Sequence, residues 1–414
     1  MAALADLSDW MDEHSQPGVI WFAKRLSAND TGANDTHQAG PYIPKALAFA
    51  AFPSLNQPSA KNPDQLFDAR IDSHSSAMTA RAVWYNSRVT GCGTRDEARL
   101  TNFGGAKSAL LDPESTGALA VFAIHQAEGV ERPACHIWVC DSELEADLFE
   151  DRLGPVDPGK FKTWSLDQPE ISENAKSGGS RLSCWLTAPE MPTSWAGVFP
   201  SGEEIIRCVV ERRPAHGVAV DVRLLQRREC EFEIFRSVEQ HVELPVIKRG
   251  FTDMRDFIEH AQRILQRRKS RAGRSLELQT RQIFIEEELV EGTNFQHQPE
   301  SEHGRRPDFL FPNEAAYKDL NYPVAGLRML AAKTTCKERW NQILNEAERI
   351  KFKHLLTLQE GVSEAQFRAM DEANVKLVVP SPLVKKYPKA VQEHLQTLES
   401  FIADVRLLQY CRRA

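Results

Sequence analysis

Two spacings of apolar residues divide the chain. From about 18 to 142, short runs rich in β-branched and aromatic residues alternate with turn chemistry. VIWFAKRL, GPYIP, ARAVWYNSRV, GALAVFAI and CHIWVC predict strands. NDTGAND, GCGTRDE and DPESTG supply the Gly, Asn, Asp and Pro that turns need. This half reads as a mostly β domain. Residues 165–200 are rich in Pro, Ser and Gly without a clear period, and read as a linker or hinge. After 203 the spacing becomes helical, in EEIIRCVVERR, RECEFEIFRSVEQHVELPVI, DMRDFIEHAQRILQRRKS and SLELQTRQIFIEEELV. Strand-like blocks follow: PDFLFP, LRMLAAKTT, HLLTLQ and VKLVVP. Helical stretches are expected at 337–350, 363–372 and 388–409. Helices alternating with short apolar strands predict an α/β domain around a central sheet. The chain thus divides into a first domain over 1–178, a linker over 179–202 and a second domain over 203–414.

Composition narrows the class. The 414 residues are 42% hydrophobic and 26% charged, which excludes a disordered, collagen-like or disulfide-scaffold chain. No apolar run approaches the ~18 residues of a membrane span. The acidic start, MAALADLSDWMDEH, does not read as a secretory signal. The expectation is a cytoplasmic protein without a membrane partner, its eight scattered cysteines reduced. Cys135-His136 and Cys140 lie in a strand-like alternation with no second ligand pair, against a zinc finger. Gly104-Gly105-Ala106-Lys107-Ser108 breaks the phosphate-loop pattern at Ala106.

A net charge of −7 argues at first against a nucleic-acid partner. Its distribution changes that picture. Residues 1–180 carry −10 and residues 181–414 carry +3. Residues 141–151 hold six carboxylates and no base, whereas 261–282 hold seven bases against Glu277 alone. Each run reads as a solvated helix face. Together they also read as a DNA-facing surface and an acidic mimic of DNA set against it.

The candidate chemistry lies between 277 and 346. Pro307-Asp308 opens a strand, and 25 residues on from Asp308 the ammonium of Lys333 sits in a second apolar strand. An unpartnered charge in so apolar a run is costly, so it marks a site edge. Two carboxylates and a lysine on neighbouring strands are the PD-(D/E)xK nuclease pattern. The acid expected two residues before Lys333 is Ala331; Glu346, thirteen residues after Lys333, can replace it. By spacing alone, a turn Asp, an edge Lys and a surface Glu is an equally open reading.

RLSANDTGA, GPYIP, FPSGEEII, RRKSRAGRSLEL, PDFLFP, LRMLAAKTTCKERWNQILNEAERI, LQEGVS and VVPSPLVKKYP span both halves. In these strings the chain resembles the EcoRII-type restriction endonucleases. The resemblance implies an N-terminal B3-like pseudobarrel that binds effector DNA and a C-terminal α/β restriction-endonuclease core. It implies Mg²⁺ held by Asp308 and Glu346, catalysis by these two with Lys333 and Tyr317, and support from Glu277. Lys337, Glu338 and Arg339 would read bases from the helix that carries Glu346, and Arg228 with Phe232 would hold an extruded base. Lys24, Arg25, His37, Tyr42, Arg95, Glu97 and Arg99 match the effector DNA contacts; Gly93 and Ala98 stand where the family prototype has lysines. The implied protein is a homodimeric type IIE enzyme acting on double-stranded DNA. It would cut 5′ of CC in a CCWGG-like site, be activated by a second site copy, and be autoinhibited by its N-terminal domain. The alternative is a non-cleaving, sequence-specific DNA-binding derivative of such a nuclease.

Overall fold

The computed structural model describes residues 4–34, 40–105, 107–126, 132–165, 184–195 and 197–410. The two spacings resolve into a mostly β N-terminal half and an α/β C-terminal half. Strands β1 (Val19–Arg25), β2 (Tyr42–Ile43), β3 (Asp64–Ile71), β4 (Ser76–Tyr85), β5 (Glu97–Thr101), β6 (Leu119–His125), β7 (Ala134–Val139) and β8 (Phe161–Ser165) form one curved sheet. Their order is β2-β5-β4-β3-β7-β6-β1-β8, and β3 with β7 is its one parallel pair among the described residues. Both faces of the central strands are covered, so β1 and β6 are buried at nearly every position. Ile20 and Phe22 of β1 face the barrel core with Phe67, Phe103 and Phe122. Trp21 and Ala23 face the other way, beneath helices α1 (Leu4–His14) and α3 (Glu143–Leu153). Helix α2 (Lys45–Ala51) closes one end of the barrel core.

The C-terminal half begins with three helices: α4 (Gly202–Arg212), α5 (Val220–Arg249) and α6 (Met254–Glu286). The two helical patterns read at 253–270 and 275–290 form one continuous helix, because RAGRS keeps the i→i+4 ladder despite its glycine. Helix α6 lies against a five-stranded sheet of β9 (Gln296–His297), β10 (Phe309–Phe311), β11 (Arg328–Lys333), β12 (Lys353–Thr357) and β13 (Val375–Val378). The order is β13-β12-β11-β10-β9; β11, β12 and β13 are parallel and β10 is antiparallel to β11. Helices α7 (Glu364–Glu372) and α8 (Leu398–Tyr410) complete the half, and Phe401, Ile402 and Val405 of α8 enter the core. The 388–409 stretch is broken, because Gln396 bridges to Val378 in extended backbone before α8 starts. Cys184 and Cys230 are joined in a disulfide, a departure from the expectation of reduced thiols. No helix among the described residues is long and apolar enough to cross a membrane.

The halves dock closely. The Ala28 N–H donates to the Glu360 carbonyl at 2.9 Å, and Asn34 Nδ2 donates to the Lys386 carbonyl at 2.8 Å. Gly361 has φ +108°, and a Cβ there would lie 2.4 Å from the Ala28 Cβ and 3.0 Å from the Lys386 carbonyl. Gly361→Ala is therefore expected to open this contact without dismantling either core. Small-angle scattering should show a larger radius of gyration than the parent; an unchanged radius would count against the tight docking.

Candidate active site

Strand β10 is three fully apolar residues, and Asp308 precedes it at the strand's open end. Phe309 pairs with Leu330, so Asp308 arrives opposite the end of β11, where Lys333 is the last residue. The Ala332 N–H donates to Asp308 Oδ2 at 2.7 Å, and Lys333 Nζ donates to the same oxygen at 3.3 Å. Burial raises Asp308 above the ordinary carboxylate value; Lys333 and the Ala332 N–H oppose the rise and the Glu277 carboxylate adds to it. Glu277, buried on α6, accepts from Gln298 Nε2 at 2.7 Å and pairs with His297.

Glu346 joins this group from an irregular segment. The predicted helix over 337–350 is only a short 3-10 turn, Arg339–Ile343, so Lys337-Glu338-Arg339 and Glu346 do not share a helix. The cause is competition for the backbone. Glu302 accepts the Ala347 N–H at 3.0 Å and the Glu348 N–H at 2.9 Å, bonds a helix would have directed to its own carbonyls. Lys353 Nζ donates to the carbonyls of Ala347 (3.1 Å) and Ile350 (2.9 Å), and Ala347 has φ +48°. The resulting loop holds Glu346 near Lys333 and Asp308. Burial pushes the Glu346 carboxyl up to about 7; Lys333 opposes the rise, and repulsion from Asp308 adds less than Lys333 takes away. Its Oε2 is buried without a hydrogen-bond partner. An orphaned buried oxygen beside a second carboxylate suits a hard divalent cation that prefers oxygen ligands.

Tyr317 is buried and its hydroxyl donates to Glu302 while accepting the Arg349 N–H at 3.2 Å. It acts on the loop that carries Glu346 and makes no contact in the structure with Asp308 or Lys333. Sequence reasoning missed Glu302 and Lys353, whose function is visible only through the loop they fix.

The site opens into a cleft of about 380 Å³ lined by both halves. Asp308, Lys333, Glu277 and Arg339 stand on one side; Arg25, Asp147, Glu150 and Asp157 stand on the other. The acidic run is helix α3, and it faces the basic run of α6. Lys269 pairs with Asp151 at 2.8 Å and Asp147 at 3.6 Å. Arg339 pairs with Glu143 at 3.2 Å and Asp147 at 3.8 Å, and Glu338 accepts the Glu143 N–H at 3.1 Å. Lys337 lies beside this contact, close enough to act on buried Cys140. Asp157 pairs with Arg271 at 3.1 Å and Arg228 at 3.5 Å. Burial disfavours its charge, but the two guanidiniums outweigh burial and hold it below the ordinary carboxylate value. Phe232, one turn after Arg228, lies under the Arg271 guanidinium.

The effector candidates fall into two groups. Lys24, Tyr42, Arg95, Glu97 and Arg99 are contiguous: Tyr42 pairs with Arg99 across β2 and β5, Glu97 binds Arg95 (2.6 Å) and Arg99 (3.3 Å), and Lys24 lies over the Tyr42 ring. Arg25 is not with them. Consecutive strand residues point to opposite faces, and Arg25 is buried on the α3 side, bonded to Glu150 at 2.8 Å and the Val156 carbonyl at 3.1 Å. His37 lies outside the described residues.

Comparison with known proteins bears on this arrangement. Family models described as "Restriction endonuclease EcoRII, N-terminal" and "EcoRII C terminal" match residues 15–168 and 235–402. The type II restriction enzyme EcoRII of Escherichia coli is 43% identical over 404 residues, covering 96% of each chain. Among solved structures, metal-depleted Ecl18kI in complex with uncleaved, modified DNA aligns at 18% identity and TM-score 0.44, over 52% of this chain and 81% of that one. The UbaLAI restriction endonuclease B3 domain with cognate DNA aligns at 21% identity and TM-score 0.27, over 38% of this chain and 98% of that one.

The raised Glu346 value has a stability consequence. Between an unfolded value near 4.5 and a folded value of about 7, the native state binds more protons, so its stability falls as pH rises through that window. Glu346→Gln is therefore expected to stabilise the metal-free protein by ~1–3 kcal/mol at pH 8 and by far less at pH 4.5. Urea unfolding at the two pH values checks this; equal effects at both would sink it.

Proposed function

The chain belongs to the EcoRII family of type II restriction endonucleases, and on that premise we propose how its residues recognise, cleave and withhold cleavage of DNA. The observation that carries the reading is the group Asp308, Lys333 and orphaned Glu346 at one end of the interior strands β10 and β11, with Asp308 and Lys333 lining a cleft of mixed cations and carboxylates. Asp308 and Glu346 hold a divalent cation, Mg²⁺ by the hardness of their oxygens. Such a cation, when bound, lowers the pKa of water and offsets charge on the phosphodiester. Lys333 orients the attacking water and compensates charge developing on the phosphate. Glu277 supports the site through Gln298 and His297. Tyr317 is a positioning residue that acts through Glu302.

Recognition follows from donors and acceptors that fit C·G pairs. Lys337 and Arg339 match guanine O6 and N7, and Glu338 accepts from cytosine N4, as a CCWGG-like site requires. Cleavage falls 5′ of CC. Arg228 and Phe232 hold an extruded central base between guanidinium and ring by stacking. The active species is a homodimer in the cytoplasm, and a second target copy binds the patch of Lys24, Tyr42, Arg95, Glu97 and Arg99. The domains are those of the sequence division: effector over 1–178, linker over 179–202, nuclease over 203–414.

The interface supports autoinhibition. Glu143, Asp147 and Asp151 occupy the same cations that would meet phosphates and bases, and Asp157 sits between Arg228 and Arg271. The cleft of about 380 Å³ is too small for a duplex, so cutting requires the halves to separate.

Run-off sequencing of cleavage products with Mg²⁺ is expected to give one overhang at a CCWGG-like site, and Lys333→Ala to cut at least ~10³-fold more slowly. Random ends, or Lys333→Ala cutting like the parent, would overturn the assignment. Binding without products under any condition would favour the non-cleaving alternative. In parallel, the combined Glu143→Gln, Asp147→Asn and Asp157→Asn variant should cut single-site plasmid ~10-fold faster than the parent at low salt. No gain on single-site DNA would remove the acidic helix from the regulation.

A further inference from the structure

We propose that His14, His125 and His136 form a second metal site, for zinc or a comparable transition-metal cation, in the N-terminal domain. The three residues are distant in sequence and come from three elements: the end of α1, the end of β6 and the middle of β7. Strand pairing sets Ala123 opposite His136 and His125 opposite Ala134, which brings the two strand histidines together. Helix α1 lies across these strands through Leu7, Trp10 and Met11, and delivers His14 to the same point. One nitrogen from each ring lies within 4.8 Å of the other two. His14 Nδ1 and His125 Nε2 stand 3.1 Å apart. Nitrogens bound tetrahedrally at zinc distances of about 2.0–2.1 Å are separated by about 3.3 Å.

The surroundings match a ligand set. His136 Nδ1 bonds Asp72 Oδ2 at 2.9 Å, and the same oxygen accepts from Trp10 Nε1 at 2.8 Å. A carboxylate held by a second donor fixes the His136 tautomer and leaves its Nε2 lone pair for a cation, the arrangement that supports metal-bound histidines. Three imidazoles suit zinc, nickel or copper better than magnesium, so the site would not compete with the catalytic carboxylates for Mg²⁺. A water completes four-coordination. Bound metal ties α1 to the barrel. Helix α3 leans on α1, with the Trp10 and Phe149 rings 6.1 Å apart and Arg152 bonded to Asp12 at 3.3 Å. The clamp thus stiffens the platform beneath the acidic helix.

The test uses the full chain without a histidine tag, stripped with EDTA and carrying Asp308→Asn to weaken cation binding at the catalytic carboxylates. Co²⁺ titration followed by visible absorption should give one equivalent with the intense bands of tetrahedral nitrogen coordination. His125→Gln and His136→Gln should each weaken binding at least tenfold, and Asp72→Asn about 10–100-fold. Stoichiometric Zn²⁺ should raise the melting temperature of the parent by several degrees and leave the histidine variants unmoved. The proposal is overturned if the parent shows only weak, six-coordinate cobalt, or if the folded variants bind as the parent does. Should a variant fail to fold, the parent's own cobalt spectrum and stoichiometry decide.

Discussion

One ammonium between two half-buried carboxylates sets the terms for the catalytic half. Asp308 and Glu346 repel each other where water is scarce, and Lys333 is the cation that moderates both. Such a cluster is expensive, so its members must be held against relaxation. Asp308 is fixed by sheet register and the Ala332 N–H. Glu346 has no sheet to hold it, and a separate scaffold of Glu302, Tyr317 and Lys353 builds its loop. Burial alone would disfavour the Glu302 charge. Hydrogen bonds from Ser301, Tyr317 and the Glu348 and Ala347 N–H groups outweigh it and keep the carboxyl below its ordinary value. A low-lying carboxylate thus fixes the high-lying one.

The same electrostatic logic operates between the halves with the opposite economy. Exposed ion pairs are each worth ~0–1 kcal/mol and are screened by salt. The contacts of Lys269 and Arg339 with helix α3 are of this partly exposed kind. Asp157 with Arg228 and Arg271 is deeper and costlier to break. The net charge of −7, which first argued against nucleic acid, is in part the counter-charge of a basic face that acidic α3 covers. Whole-chain charge averages the two surfaces and hides both.

How much was legible in the sequence depended on whether a feature is periodic. Barrel strands β1, β2, β4, β6 and β7, helices α5 and α6, the strand that follows Asp308 and the strand that ends in Lys333 have apolar spacing legible in the sequence. The 337–350 segment has helical spacing, but Glu302, some 45 residues away, captures its N–H groups, and no local pattern encodes that. Lys24 and Arg25 form one basic pair by composition, yet strand alternation puts them on opposite faces. Strands β3, β5 and β8 are not legible in the sequence, because β3 and β5 are partly exposed and carry Asp, Arg and Glu, and β8 is half-exposed at every position. The three histidines share no spacing at all and meet only through strand register.

A latch made of shared cations is reversible for a physical reason. Arg339, Lys269, Arg228 and Arg271 can satisfy carboxylates or phosphates but not both. In the proposed autoinhibition, DNA competes for the charges that close the cleft, and closed and open states differ by an exchange of partners rather than by loss of them. Moving such an equilibrium from mostly closed to mostly open takes ~5.5 kcal/mol of differential binding. On that proposal one duplex at the nuclease face would spend part of its binding energy on displacing α3. A second duplex on the barrel patch contributes only if it binds the open state better. That patch joins β1, β2 and β5, and β1 also carries Arg25, which holds Glu150 of α3. Lys24 faces the patch and Arg25 faces the latch, so a shift of this one strand is felt on both sides of the sheet.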